Sequence, residues 1–131
     1  MDFTDKFRKY APAVNRLGIT AVILWFGINQ LINPDNFLGY LPDFIFSSSY
    51  AKTFIFANGI LEVIAGTLLL LGPFTRFVAL IMALHLLVIT IELGYGDVAV
   101  RDFGLTLSTF AIALWGEDEW SIRNIIKKKK K

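Results

Sequence analysis

The chain has 131 residues, enough for one domain; 55% are hydrophobic, only 18% are charged, and the formal net charge is +2. With a mean hydropathy of +0.57, this composition excludes an ordinary soluble globular domain, and no nucleic-acid partner is expected. The lack of cysteine excludes disulfides, thiol redox chemistry and iron–sulfur clusters, and the single histidine leaves one protomer unable to supply two imidazoles to a haem.

Four long apolar windows follow one another at about 12–32, 52–72, 74–95 and 99–116. Three reach the ~20 residues that a ~30 Å hydrocarbon core requires, and the fourth spans if Arg101 or Asp102 sits at the interface. A chain of this size cannot bury four such segments in a soluble core, and no polar helix face is left over to meet water. The sequence therefore predicts an all-α, membrane-spanning four-helix bundle forming a single domain over 1–131. The first window is too long for a cleavable leader and lacks a small-residue cleavage site.

In chain order, residues 1–11 place Phe3, Phe7 and Tyr10 at helical spacing among Lys6, Arg8 and Lys9, the pattern of an interfacial amphipathic segment. Pro12 suits a first helical turn, and "NP" at 33–34 ends the first span. The 34–50 connection is rich in aromatics and should lie on the membrane or fold over the bundle. Its "SSS" at 47–49 offers caps for the second span. "GP" at 72–73 stops that span and leads at once into the third, which ends near "GYG" at 94–96. The fourth begins near Arg101 and ends at "GEDEW". The closing five-lysine run favours an anionic membrane surface. As a solvated tail it would need no partner.

Of the thirteen Lys and Arg residues, Lys6, Arg8, Lys9, Arg16, Arg76, Arg123 and the five terminal lysines fall on one side, leaving only Lys52 and Arg101 for the other. The positive-inside rule then predicts a multi-pass cell-membrane protein with both termini cytoplasmic.

Within the spans the polar residues are unevenly placed. Glu62 follows Lys52 by ten residues, about 15 Å at 1.5 Å per residue, and so lies near the midplane. Asn58 precedes it by one turn, and Gly66 follows by one turn. His85 and Glu92 share a face of the third span. Asn29 and Gln30 close the first span, and Arg101 and Asp102 open the fourth, with Thr106 and Thr109 below. Every span thus contributes polar groups to the outer half, whereas the inner half offers mainly Arg16 and Arg76. A charge at the bilayer centre costs about 2.5–3.5 kcal/mol on insertion scales. Glu62, Glu92 and Asp102 should therefore face one another, with Arg101 and His85 as partners, in a polar cavity suited to a ligand or a proton. A structural clasp, with Arg101 paired to Glu62 or Glu92, is the plainer reading. No metal-ligand spacing is present.

The segments "RLGITAVILWFGINQLINP" (16–34), "GILEVIAGTLLLLGPFTR" (59–76) and "RDFGL" (101–105) together resemble the DoxX-like family of small four-helix membrane proteins. Gln30 stands where that family commonly has a lysine. The resemblance implies a four-helix bundle, often in a redox setting linked to thiosulfate:quinone oxidoreductase or to oxidative-stress systems. It supplies no catalytic residues.

Three functions follow as expectations. The first is a membrane subunit of a quinone-linked oxidoreductase. In it Glu62 or Glu92 would exchange protons and His85 and Arg101 would hydrogen-bond a quinone, with electrons supplied by a redox partner protein because no flavin or metal motif is present. The second is a non-catalytic anchor or assembly factor. The third is a small-solute transporter, which at this length would need a homo-oligomer and which shows no inverted repeat.

Overall fold

The computed structural model describes residues 2–131. Its helices are α1 (Phe3–Arg8), α2 (Ala11–Ile32), α3 (Asp43–Phe46), α4 (Ala51–Leu71), α5 (Thr75–Leu93), α6 (Asp97–Trp115) and α7 (Ile122–Lys129), with a 3-10 segment, Pro34–Tyr40, between α2 and α3. Among the described residues there is no strand, and four helices (α2, α4, α5 and α6) are long and apolar enough to cross a membrane. The shortest has 19 residues, about 28 Å at 1.5 Å per residue.

The bundle is two tight pairs, α2 on α4 and α5 on α6, with sparser contacts between α2 and α6 and between α4 and α5. The apolar core joins the pairs through Ile19 and Ile23 of α2, Ala65 and Leu69 of α4, Ala79 and Met82 of α5, and Ile112 of α6. Most large apolar side chains point outwards instead, including Ile64, Phe77, Ile81, Leu107 and Leu114. That inversion suits a lipid surround, where a greasy exterior costs nothing.

Glycine sets the closeness of the first pair. A Cβ on Gly27 would stand 2.9 Å from both the Glu62 Cβ and the Val63 backbone nitrogen, and one on Gly59 would stand 3.0 Å from the Gly27 carbonyl. Small residues let the two backbones meet here, bringing the end of α2 against the middle of α4. Gly72, at φ 89°, closes α4 in the left-handed region, as "GP" predicts. The tight turn also holds Phe74 at φ 54°, a conformation uncommon outside glycine.

The serines of the first loop act differently from expectation. No side chain caps α4, whose N-cap is Tyr50. Ser48 instead donates to the Ile45 carbonyl at 2.7 Å and accepts from the Tyr50 amide at 3.3 Å, so it fixes the turn before the helix. The loop folds back over the bundle, with Phe37 buried edge-on to Phe26 at 6.0 Å. The α1 segment carries Phe3 and Phe7 exposed, their rings 5.0 Å apart. Tyr10 and Trp120 stack at 5.5 Å, so both ends of the chain meet at one end of the bundle, the terminal end. The opposite end is the loop end.

Candidate functional site

In the loop-end half, α2 and α4 bring Gln30, Asn58 and Glu62 into one network. Glu62 is 4% exposed. One of its oxygens accepts from Gln30 Nε2 at 2.7 Å; the other accepts from Asn58 Nδ2 at 3.1 Å and lies 3.4 Å from His85 Nε2 on α5. Asn58 Nδ2 also donates to Gln30 Oε1 at 2.7 Å. The close α2–α4 approach at Gly27 and Gly59 makes this possible, since Gln30 follows Gly27 by three residues and Glu62 follows Gly59 by three.

The network forms one wall of a cavity of about 310 Å³. Its other walls are mostly apolar, from Ile23 and Phe26 of α2, Phe54 of α4, and Leu86 and Ile89 of α5. The folded-back loop roofs it with Phe37, Tyr40 and Ile45. Asp102 and Glu92 also line it; Asp102 is 6% exposed, whereas Glu92 is exposed. A carboxylate beside an imidazole, in a mostly apolar chamber, can accept or release a proton next to a bound molecule.

Two of the residues expected here stand elsewhere. Asn29 turns back to donate to the Trp25 carbonyl at 2.7 Å and does not line the cavity. It follows Gly27 by two residues, which puts it round the helix from Gln30. Arg101 pairs with neither Glu62 nor Glu92. Its Nε and Nη2 lie 3.0 and 2.9 Å from Asp102 Oδ1, and its side chain is half exposed. Successive helical residues point about 100° apart, so with Asp102 facing the chamber Arg101 faces outwards and folds back to its neighbour. α6 begins at Asp97, so this pair occupies its second turn. Thr106 and Thr109, buried below Asp102, donate to carbonyls of their own helix at 2.8 and 2.7 Å.

The expected poverty of polar groups at the other end is corrected. Arg16, fully buried, donates through Nε and Nη2 to the two Asp118 oxygens at 2.6 and 3.1 Å. Its Nη1 reaches the carbonyls of Leu69 and Leu70, two of the last acceptors of α4, which have no helical donor. Asp118 in turn accepts from the Trp120 amide at 2.9 Å, and its carbonyl accepts from Ser121 and Asn124. One arginine thus ties the start of α2, the end of α4 and the linker to α7. The signal in the sequence is the acidic run of "GEDEW" closing the last span on the side where Arg16 opens the first.

Four apolar helices with Glu62 and Asp102 buried between them define an integral membrane protein. The DoxX family model matches residues 11–94, and the chain belongs to that family. The match takes in α2, α4 and α5 and with them Gln30, Asn58, Glu62 and His85, while Asp102 and Asp118 lie beyond it. No curated protein and no solved structure matches the chain.

Proposed function

We propose that the chain is the membrane subunit of a quinone-linked or oxidative-stress redox system and that its loop-end chamber receives a quinone head group. The observation that carries this reading is the Glu62–His85 contact, 3.4 Å long, in the wall of a cavity whose other walls are mostly apolar. Gln30, Asn58 and His85 offer donors for ring carbonyls, Glu62 exchanges the proton that accompanies reduction, and the apolar walls take the ring and the start of a tail. Sparse packing between α4 and α5 gives a membrane-soluble molecule a sideways way in. Electrons come from a redox partner protein. The test is quinone binding to the purified protein in nanodiscs, together with quinone reduction by its partner. Loss of binding in a folded Glu62→Gln variant supports the reading, and wild-type binding by that variant overturns it.

One observation favours a second reading, a non-catalytic anchor: both Glu62 oxygens are already hydrogen-bonded within the protein. On that reading Glu62→Gln lowers stability and leaves the partner's turnover per assembled complex unchanged.

A further inference from the structure

The terminal end carries a second concavity. A groove of about 510 Å³ runs between the start of α2 and the end of α6, lined by Arg8, Lys9, Asn15, Ile112, Trp115 and Gly116 among others. We propose that it is a binding site for the headgroup of an anionic phospholipid.

Its position comes first. α2 begins at Ala11 and α6 ends at Trp115, so the groove sits where two spans leave the hydrocarbon, at headgroup level. The half-exposed Trp115 indole is the side chain expected at that boundary.

The charge comes next. Arg8 and Lys9 stand at the mouth. Arg76 arrives from α5 and lies across Gly116, where an added Cβ would come within 2.5 Å of Arg76 Nε. None of the three is neutralised in a buried ion pair. Among the described residues Arg76 makes one hydrogen bond, to the Trp115 carbonyl at 3.3 Å, and no ion pair. Lys9 Nζ rests over the Tyr10 ring at 5.0 Å. Arg8 meets only Asp5, on the surface at 3.3 Å, a pairing that water weakens. One guanidinium and one ammonium line the groove, with the Arg76 guanidinium against Gly116 beside it, and together they suit a phosphodiester, which a guanidinium can grip through paired oxygens.

The walls decide between a lipid and a free anion. Below the cations the groove is apolar, formed by Pro12, Ala111 and Ile112, and the Asn15 side chain is occupied with Ser108. A soluble phosphate leaves that wall bare, whereas a glycerophospholipid covers it with its glycerol and upper acyl carbons. Basic pockets between spans, beside an aromatic at the interface, are the usual place for such headgroups.

The test uses full-length protein carrying Trp25→Phe and Trp120→Phe, so that Trp115 alone reports. It is reconstituted in phosphatidylcholine with either phosphatidylglycerol or further phosphatidylcholine brominated on the acyl chains, at equal mole fraction. Quenching of Trp115 is expected to be greater for brominated phosphatidylglycerol. Arg8→Gln/Lys9→Gln should reduce that excess and adding Arg76→Gln should abolish it, while substituting Gln for the five terminal lysines should leave it in place. The double variant changes only exposed side chains, so the result stands even if the triple variant folds poorly. Equal quenching by the two lipids overturns the proposal, as does an excess that follows the lysine tail rather than the groove. Displacement of the excess by inorganic phosphate also overturns it, since the site would then take a free anion.

Discussion

Arg16 and Asp118 have side chains only 1% exposed, so neither can lose the other without stranding a charge. Removing one partner of a buried pair typically costs about 3–5 kcal/mol, whereas replacing both by apolar residues is often neutral. Asp118→Ala should therefore lower unfolding stability in detergent micelles by about that amount, and Arg16→Met/Asp118→Leu should recover most of it. If the double variant is as unstable as the single one, the carbonyl contacts to Leu69 and Leu70 matter more than the charge pair. Thr20, 1% exposed, shows the opposite situation: its hydroxyl has no hydrogen-bond partner among the described residues. Thr20→Val keeps the shape and removes an unpaired buried group, so it should leave stability unchanged or raise it by about 1 kcal/mol in the same unfolding assay. At this scale the sequence exposes which polar residues are out of place but not whom they meet. Arg16 and Asp118 are 102 positions apart, and no local pattern links them. Glu62 and Asn58, one turn apart on one helix, are legible together.

Among the elements, the α2–α4 crossing has little room to change. Gly27→Ala would press a methyl against the Val63 backbone nitrogen, and a backbone atom cannot rotate away. The helices must separate, at a cost of about 1–3 kcal/mol, and the Gln30–Glu62 bond opens with them. Unfolding measurements should register the loss, and carboxyl-region infrared spectra should show Glu62 in a changed environment. At the other extreme, α7 is held beyond its Asn124 contact by exposed ties. Arg123 reaches Glu117 at 2.9 Å and Lys128 reaches Glu119. The Lys128 ammonium holds the Glu119 carboxyl below its usual range, and Glu119 in turn raises Lys128. A lowered carboxylate supports the folded form above its unfolded pKa and loses that support as pH falls through the folded one. Acidification below the ordinary carboxylate range should therefore loosen α7 before the spans, seen as earlier amide exchange in 122–129. Exposed pairs contribute little, so the effect should remain local. The spans themselves were readable because crossing a bilayer demands an unbroken apolar run. Their pairing was not, since apolar faces of similar composition carry no address.

At the scale of the whole molecule, charge distribution gives the remaining prediction. The terminal end carries the N-terminal cations, Arg123 and the closing lysines, whereas Lys52 lies at the loop end, bridged to Asp35 at 2.8 Å. A reporter fused after Lys131 should be active only in a form that works in the cytoplasm; activity of a periplasm-type reporter there would reverse the orientation. The bundle's outline was legible from hydropathy, and so was the crowding of polar residues toward the loop end. The terminal clasp was not, because its acid looks like part of a solvated turn. The clasp also has a consequence in time. Its arginine precedes its aspartate by 102 positions, so α2 is made before its guanidinium has either the α4 carbonyls or the counter-ion. A nascent chain stopped at Gly116 holds every span and still lacks the counter-ion that closes them. Closure of the clasp is thus tied to synthesis of the segment after α6, and fragments ending before Asp118 carry an unsatisfied charge at the membrane boundary.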